Sequence, residues 1–172
     1  MPKISIKPAT LAELTRQLNN ELGASHAYLA LAIWCDAVNF KGFARYFYKQ
    51  ANEERAHAQK MIDHLLDRGA SAGLQPISAP KSEFKSLLEV ARQAQEMEGA
   101  NTAGINAAYQ AALQEGDYPA QVMLQWFISE QVEEEAWADE MVERVQNASC
   151  AGSIGELDRH IERYLTEKTT GA

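Results

Sequence analysis

Apolar residues recur along this chain in alternating steps of three and four, the spacing that lays a stripe along one side of an α-helix. Four long stretches carry that period and a short fifth follows. The first runs from about Leu11 to Ala37, and Thr10-Leu-Ala-Glu13 after Pro8 predicts a capping box at its start. The second runs from about Gly42 to Arg68 and stops at Gly69, where a left-handed C-cap is expected. Residues 69–81 mix glycine, proline and small residues without a period and read as a crossover. The third stretch runs from about Ser82 to Glu115 and ends at Gly116, with Gly99 and Gly104 each weakening it by about 1 kcal/mol relative to alanine, enough for a bend. The fourth opens at Asp117-Tyr-Pro119, an N-cap with proline in the first turn, and continues to about Gln146. Residues 147–155 are small and turn-forming, and a last helix is predicted over about Ile154 to Glu167.

Short loops near residues 38–42 and 115–118 make two antiparallel helical hairpins, and the connection between them is long enough to cross a bundle. The expected fold is therefore all-α: a four-helix bundle over about 11–146 with one long crossover, plus a short C-terminal helix, all in one domain of residues 1–172.

The stripes are not clean. The first reads Leu14, Leu18, Glu21, Ser25, Tyr28, Ala32, Cys35, and the second Phe43, Phe47, Gln50, Glu54, His57, Met61. The third reads Leu87, Ala91, Ala94, Glu98, then Asn101 or Thr102, Ile105, Tyr109, and the fourth Leu124, Phe127, Gln131, Glu134, Ala138, Met141, Val145. Each is broken by acid, amide or imidazole where a bundle needs apolar side chains. The breaks also agree in depth. Glu21 lies 19 positions before Phe40, with Glu54 and His57 14 and 17 after it; Glu98 lies 18 before Gly116, with Gln131 and Glu134 15 and 18 after it. At about 1.5 Å of rise per residue these offsets differ by about one turn or less. One layer of the bundle should collect Glu21, Glu54, His57, Glu98, Gln131 and Glu134.

Burying four carboxylates together costs several kcal/mol per ion even after relaxation, roughly, and like charges add to it. No lysine or arginine interrupts the stripes to neutralise them. Two bound multivalent cations would, and oxygen ligands with one imidazole suit Fe(II) or Mn(II) better than structural zinc. The overall charge of −8 fits a partner that is a cation and excludes a basic nucleic-acid face, to which Lys3 and Lys7 do not amount. The longest apolar run, Ala27 to Cys35, is about half a membrane span, and residues 1–10 carry two prolines and no apolar segment of a signal peptide. Cys35 and Cys150 form no motif and read as small buried or half-buried side chains.

These residues resemble the metal site of ferritins. Diiron carboxylate bundles take one Glu from each of two helices and Glu-x-x-His from each of the others. Glu21 and Glu98 match the single glutamates, and Glu54-Arg-Ala-His57 matches the first motif. The fourth helix departs, with Gln131-Val-Glu-Glu134 where bacterioferritins and rubrerythrins keep a second histidine. True ferritins carry a glutamine-containing motif there. Arg55 stands where bacterioferritin places its haem methionine, so no haem is expected. Glu-Leu-Gly-Ala-Ser from Glu21 and Gln-Trp-Phe-Ile-Ser-Glu-Gln up to Gln131 extend the likeness to bacterial-type non-haem ferritins over nearly the whole chain.

The resemblance implies iron storage with ferroxidase activity. Glu21, Glu54 and His57 would hold one iron, with Glu54 bridging to a second held by Glu98 and by Glu134 or Gln131. Glu53, Glu130, Glu133 and Glu134 would form a third position beside the pair; Glu130, Glu133 and Glu134 do share one helix face by their spacing. Tyr28, two turns beyond Glu21, would be an electron donor while O2 or hydrogen peroxide is reduced. A homo-oligomeric shell of 24 subunits follows from the resemblance, while the charge, the short apolar runs and the isolated cysteines predict a cytoplasmic protein with no nucleic-acid or membrane partner. Ile154, Leu157, Ile161 and Leu165 stripe the last helix, which is too short to stand alone and must bury against something. The acidic pair of animal ferritin pores is replaced by Gln121 and Leu124, leaving the entry route for iron open. Trp34, Trp126 and Trp137 read as packing residues, and His26, His64 and His160 as structural or surface ones. A diiron oxidase without storage and a metal-free structural bundle are the rival readings.

Overall fold

The computed structural model describes residues 5–166, apart from the side chains at 162 and 164–166. Its helices are α1 (Pro8–Ala37), α2 (Lys41–Asp67), α3 (Leu87–Glu115), α4 (Tyr118–Ala151) and α5 (Ile154–Thr166). Helix α1 packs on α2 and on α3, α3 packs on α4, and α5 closes against α2 and α4. The fold is the all-α bundle with one crossover, and no strand occurs among the described residues.

Local chemistry sets the helix ends, and in three places it differs from expectation. The Thr10–Glu13 box does not form. Helix α1 begins at Pro8 without a side-chain cap, while the Thr10 hydroxyl donates to the Glu115 carboxylate at 2.7 Å and the Thr10 amide donates to it at 2.8 Å. This ties the start of α1 to the end of α3. Helix α3 begins at Leu87 rather than near Ser82, because Ser86 is the cap: its side chain accepts from the Glu89 amide, and the Glu89 carboxylate accepts from the Lys85 amide at 2.6 Å. Helix α4 runs past Gln146 to Ala151, so residues 147–151 are helix rather than turn. Ala148 is buried there, and Ser149 turns its hydroxyl back onto the Val145 carbonyl at 2.6 Å. The left-handed residue that stops it is Gly152. The Asp117 cap accepts from the Ala120 amide at 3.1 Å, as its position suggested.

The interior is two apolar clusters rather than one. Tyr28, Leu31, Phe43, Phe47, Met141 and Val145 belong to the first, and Leu14, Leu18, Met61, Ile105, Leu124 and Phe127 to the second. Along each helix, the polar breaks fall between the two. Cys35 lies in the first cluster, where burial and then Asp158 push its thiol up to about 12; Cys150 is exposed, not half-buried.

Helix α5 folds back onto its own bundle. Leu157 and Ile161 are buried in the first cluster and Ile154 packs at its edge, so these three stripe residues are covered from within the chain. Leu165 lies outside the described side chains, and Glu167 and Lys3 outside the described residues. Buried Asp158 accepts from the Phe43 amide at 3.0 Å, placing a carboxylate on the first turn of α2, where the helix dipole favours an anion. Gly42 permits this approach, since a Cβ there would sit 1.7 Å from the Asp158 carbonyl oxygen. Accordingly Asp158→Ala should lower stability by about 1 kcal/mol, the usual cost of losing an N-terminal cap. Gly42→Ala should displace α5 altogether, read as faster proteolysis after residue 152 with the bundle's helicity retained.

Candidate metal centre

Five ionisable side chains and one amide meet where the apolar clusters part. Glu21, Glu54, Glu98, His57, Glu134 and Gln131 are all 8% exposed or less. The tightest group is Glu21, Glu54 and His57, whose donor atoms lie within 4.8 Å of one another. His57 Nδ1 stands 3.4 Å from Glu54 Oε2 and 3.8 Å from Glu21 Oε2. Glu54 Oε2 is buried and makes no hydrogen bond. A divalent ion with bonds of about 2.1 Å spans donors about 4 Å apart, so small rotations would bring these three donors onto one ion.

Glu98 forms the other half. It accepts from the Tyr28 hydroxyl and, at 3.0 Å, from Gln131 Nε2. Gln131 also donates to the Glu98 backbone carbonyl at 3.2 Å, so its Nε2 holds Glu98 in place. Glu134 accepts from Gln50 Nε2 at 3.1 Å. Glu53, Glu130 and Glu133 are apart from this layer but adjoin it: with Lys49, His57, Trp126, Glu134 and Trp137 they line an open cleft of about 250 Å³ between α2 and α4. The layer thus contains the six expected residues, and the three outer glutamates occupy its solvent side.

Electrostatics follow burial. Glu21 is raised well above the usual carboxyl range by desolvation and by neighbouring Glu54. Glu54 is pushed up to about 8, chiefly by burial, and Glu134 to about 9 by burial and Glu98. Glu98 is raised by burial against the lowering effect of the Tyr28 and Gln131 hydrogen bonds. Without a cation, protons take the place of the missing positive charge.

Sequence reasoning missed a sheath of amides. Gln17 is fully buried, donates to Glu21 at 2.8 Å and donates to Asn101 Oδ1. Asn101, rather than Thr102, faces inward and turns its amide towards Glu21 Oε2 at 3.3 Å. The signal was present: Gln17 and Gln50 each precede a stripe glutamate by four, and Asn101 follows one by three. Gly104 makes room for this sheath, because a Cβ there would meet Gln17 Oε1 at 2.1 Å.

A four-helix bundle with a buried layer of glutamates and one histidine defines the class of ferritin-like metal carboxylate proteins. The comparisons agree: the family model "Ferritin-like domain" matches residues 11–148. A bacterial non-heme ferritin of Staphylococcus aureus (strain USA300) is 38% identical over 162 residues, covering 94% of this chain and 93% of that protein. One from Staphylococcus haemolyticus is 41% identical over 126 residues, covering 73% and 76%. The open pore ferritin of the archaeon Archaeoglobus fulgidus superposes with a TM-score of 0.87 at 34% identity, covering 91% of this chain and 97% of that one. The chain belongs to the ferritin family, of the bacterial non-haem type, and iron storage is the function that membership supports. No helix among the described residues is long and apolar enough to cross a membrane.

Two outcomes are expected. Folded Glu54 and Glu134 bind protons up to about 8 and 9, whereas unfolded carboxyls release theirs near 4.5. The native state therefore holds the extra protons between those values, and the metal-free protein should lose stability as pH rises across that window. Thermal unfolding as a function of pH checks this; a melting temperature rising over the same range would contradict it. Because cations displace those protons, stabilisation by Zn(II) should grow with pH. Separately, Gln17→Ala, which strips Glu21 of its holder, should weaken Fe(II) binding about 10–100-fold in anaerobic titration, as loss of an outer partner does.

Proposed function

We propose that the chain, folded as one domain over residues 1–172, is a ferroxidase subunit that oxidises Fe(II) and stores the product as ferric mineral inside a homo-oligomeric shell. The observation that carries it is the dry layer of four carboxylates, two of them held neutral by burial, around a histidine. One Fe(II) would bind Glu21, Glu54 and His57. Glu54 would bridge to a second, held by Glu98 with Glu134, while Gln131 keeps Glu98 aimed. A third would sit in the cleft among Glu53, Glu130, Glu133 and Glu134.

Two Fe(II) ions each lose one electron, and O2 takes both with two protons to give hydrogen peroxide; peroxide in turn can accept two more electrons. Carboxylates favour that direction, since hard anionic oxygens stabilise Fe(III) over Fe(II). Protons held on Glu54 and Glu134 are released as iron binds. Tyr28 would give an electron, a role its hydrogen bond to Glu98 supports. No haem takes part. The shell is proposed as a 24-mer in the cytoplasm, on the family likeness alone, because α5 is covered within its own bundle.

The test is to add Fe(II) without oxygen, count ions bound per chain, then admit air. Two to three tight sites, oxidation faster than buffer and a mineral core are expected, roughly, given the ligand count. Glu54→Ala, which removes the bridging carboxylate, should reduce the initial rate about 100-fold or more, at the upper end of a lost metal contact. Oxidation no faster than buffer, or an unaffected Glu54→Ala, would sink the reading. A particle of dimer size in solution would sink the shell alone.

A further inference from the structure

Two tyrosines flank the layer, and their hydroxyls are in different states. Tyr28 is bonded to Glu98. Tyr46 is 2% exposed, yet its hydroxyl has no hydrogen-bond partner. A buried donor left open in a native structure calls for a reason. Tyr46 shares the α2 face of Gln50, Glu54 and His57, being four, eight and eleven residues before them. Burial, then the nearby charges of Glu134, Glu98, Glu53 and Glu54, hold its phenol protonated.

Its ring leads outward. The Tyr46 and Trp137 centroids are 4.8 Å apart at 58°, and Trp137, half-buried, lines the cleft with Glu53, Glu130 and Glu133. Phe47 packs between Tyr46 and Tyr28, with centroids 5.4 and 6.0 Å away, so the aromatic contacts also join the two tyrosines. One oxidisable pair therefore spans the distance from the dry layer to the open acidic cleft.

Building on the ferroxidase reading, we propose that Tyr46 and Trp137 form an electron relay from Fe(II) in the cleft to oxygen reduced at the buried iron pair. Electron counting motivates the route. Reducing O2 to water takes four electrons, and two buried Fe(II) ions supply half. In the relay the Tyr46 O–H bond breaks, and its electron and proton pass together to oxygen at the iron pair. Trp137 returns an electron to the tyrosyl radical, which regains a proton from solvent through the cleft. Fe(II) among Glu53, Glu130 and Glu133 refills the oxidised indole and becomes Fe(III). The net change is one Fe(II) oxidised and one electron and proton delivered to oxygen. This gives Trp137 a role beyond the packing its position suggested.

Full-length protein loaded anaerobically with Fe(II), mixed with O2 and freeze-quenched, tests the relay by electron paramagnetic resonance, with ring-deuterated tyrosine or tryptophan naming the radical. In Tyr28→Phe protein a tyrosine radical should remain, and adding Tyr46→Phe should abolish it. Trp137→Phe should make that radical several-fold longer-lived and slow oxidation of the third iron relative to the first two. Tyr46→Phe removes only an unpartnered hydroxyl, so the anaerobic iron count and circular dichroism should hold, separating the relay from packing. A radical in Tyr28→Phe protein that is indifferent to Tyr46→Phe, or a third iron oxidised as fast without Trp137, would overturn the relay. A parent protein that fails to oxidise Fe(II) above buffer would overturn the ferroxidase reading instead.

Discussion

Everything in this bundle answers to carboxylates placed where water is excluded. Leaving Glu21, Glu54, Glu98 and Glu134 ionised side by side would cost several kcal/mol each, roughly, before mutual repulsion is added. The metal-free chain lessens that cost by keeping protons on Glu54 and Glu134, whose carboxyls burial pushes up to about 8 and about 9. Cations offer the other solution and supply much stronger attraction in the same dry space. A layer that is tolerable neutral and better satisfied by multivalent charge suits the exchange of protons for metal on which the ferroxidase reading rests.

The surrounding packing makes that layer possible. A dozen large side chains are fully buried on its two sides, each contributing about 1.5–3 kcal/mol on leaving water. That stabilisation is what the polar layer draws on, and it explains why the clusters are separate: neither could be continuous through a plane of acids. Amides mediate the junction. Gln17, Gln50, Asn101 and Gln131 hold the acids through neutral donors, which fix orientation without cancelling the charge a metal would need. An arginine in any of these places would have satisfied the carboxylates permanently.

Much of this was legible because spacing and chemistry disagreed. Helical spacing put Glu21, Glu54, Glu98 and Glu134 on the buried stripe while their chemistry put them on the surface, and the structure keeps the spacing. The sheath was less visible since an amide at a stripe position reads as an ordinary boundary residue; its meaning lies in contacts across helices, such as Gln17 to Asn101. At the start of α1 a tertiary partner took the expected local cap. Thr10 was claimed by Glu115, over a hundred residues away in sequence, and no local pattern encodes that. Asp158 capping α2 from the far end of the chain is the same lesson, and it also explains why the α5 stripe is covered without a second subunit.

The layer is also directional. Towards α1 and α3 its neighbours are amides, Gln17 and Asn101, which carry no charge and do not titrate. Towards the gap between α2 and α4 they are Glu53, Glu130 and Glu133, increasingly exposed, with the edges of Trp126 and Trp137 as walls. On the ferroxidase reading, a cation entering from that side would meet exposed carboxylates first and buried ones last, and would shed water stepwise. Glu134 belongs to both groups, being buried in the layer and lining the cleft. Dehydration thus increases along one short path, and on the ferroxidase reading that gradient is what would separate a site that loads from a polar defect in a core.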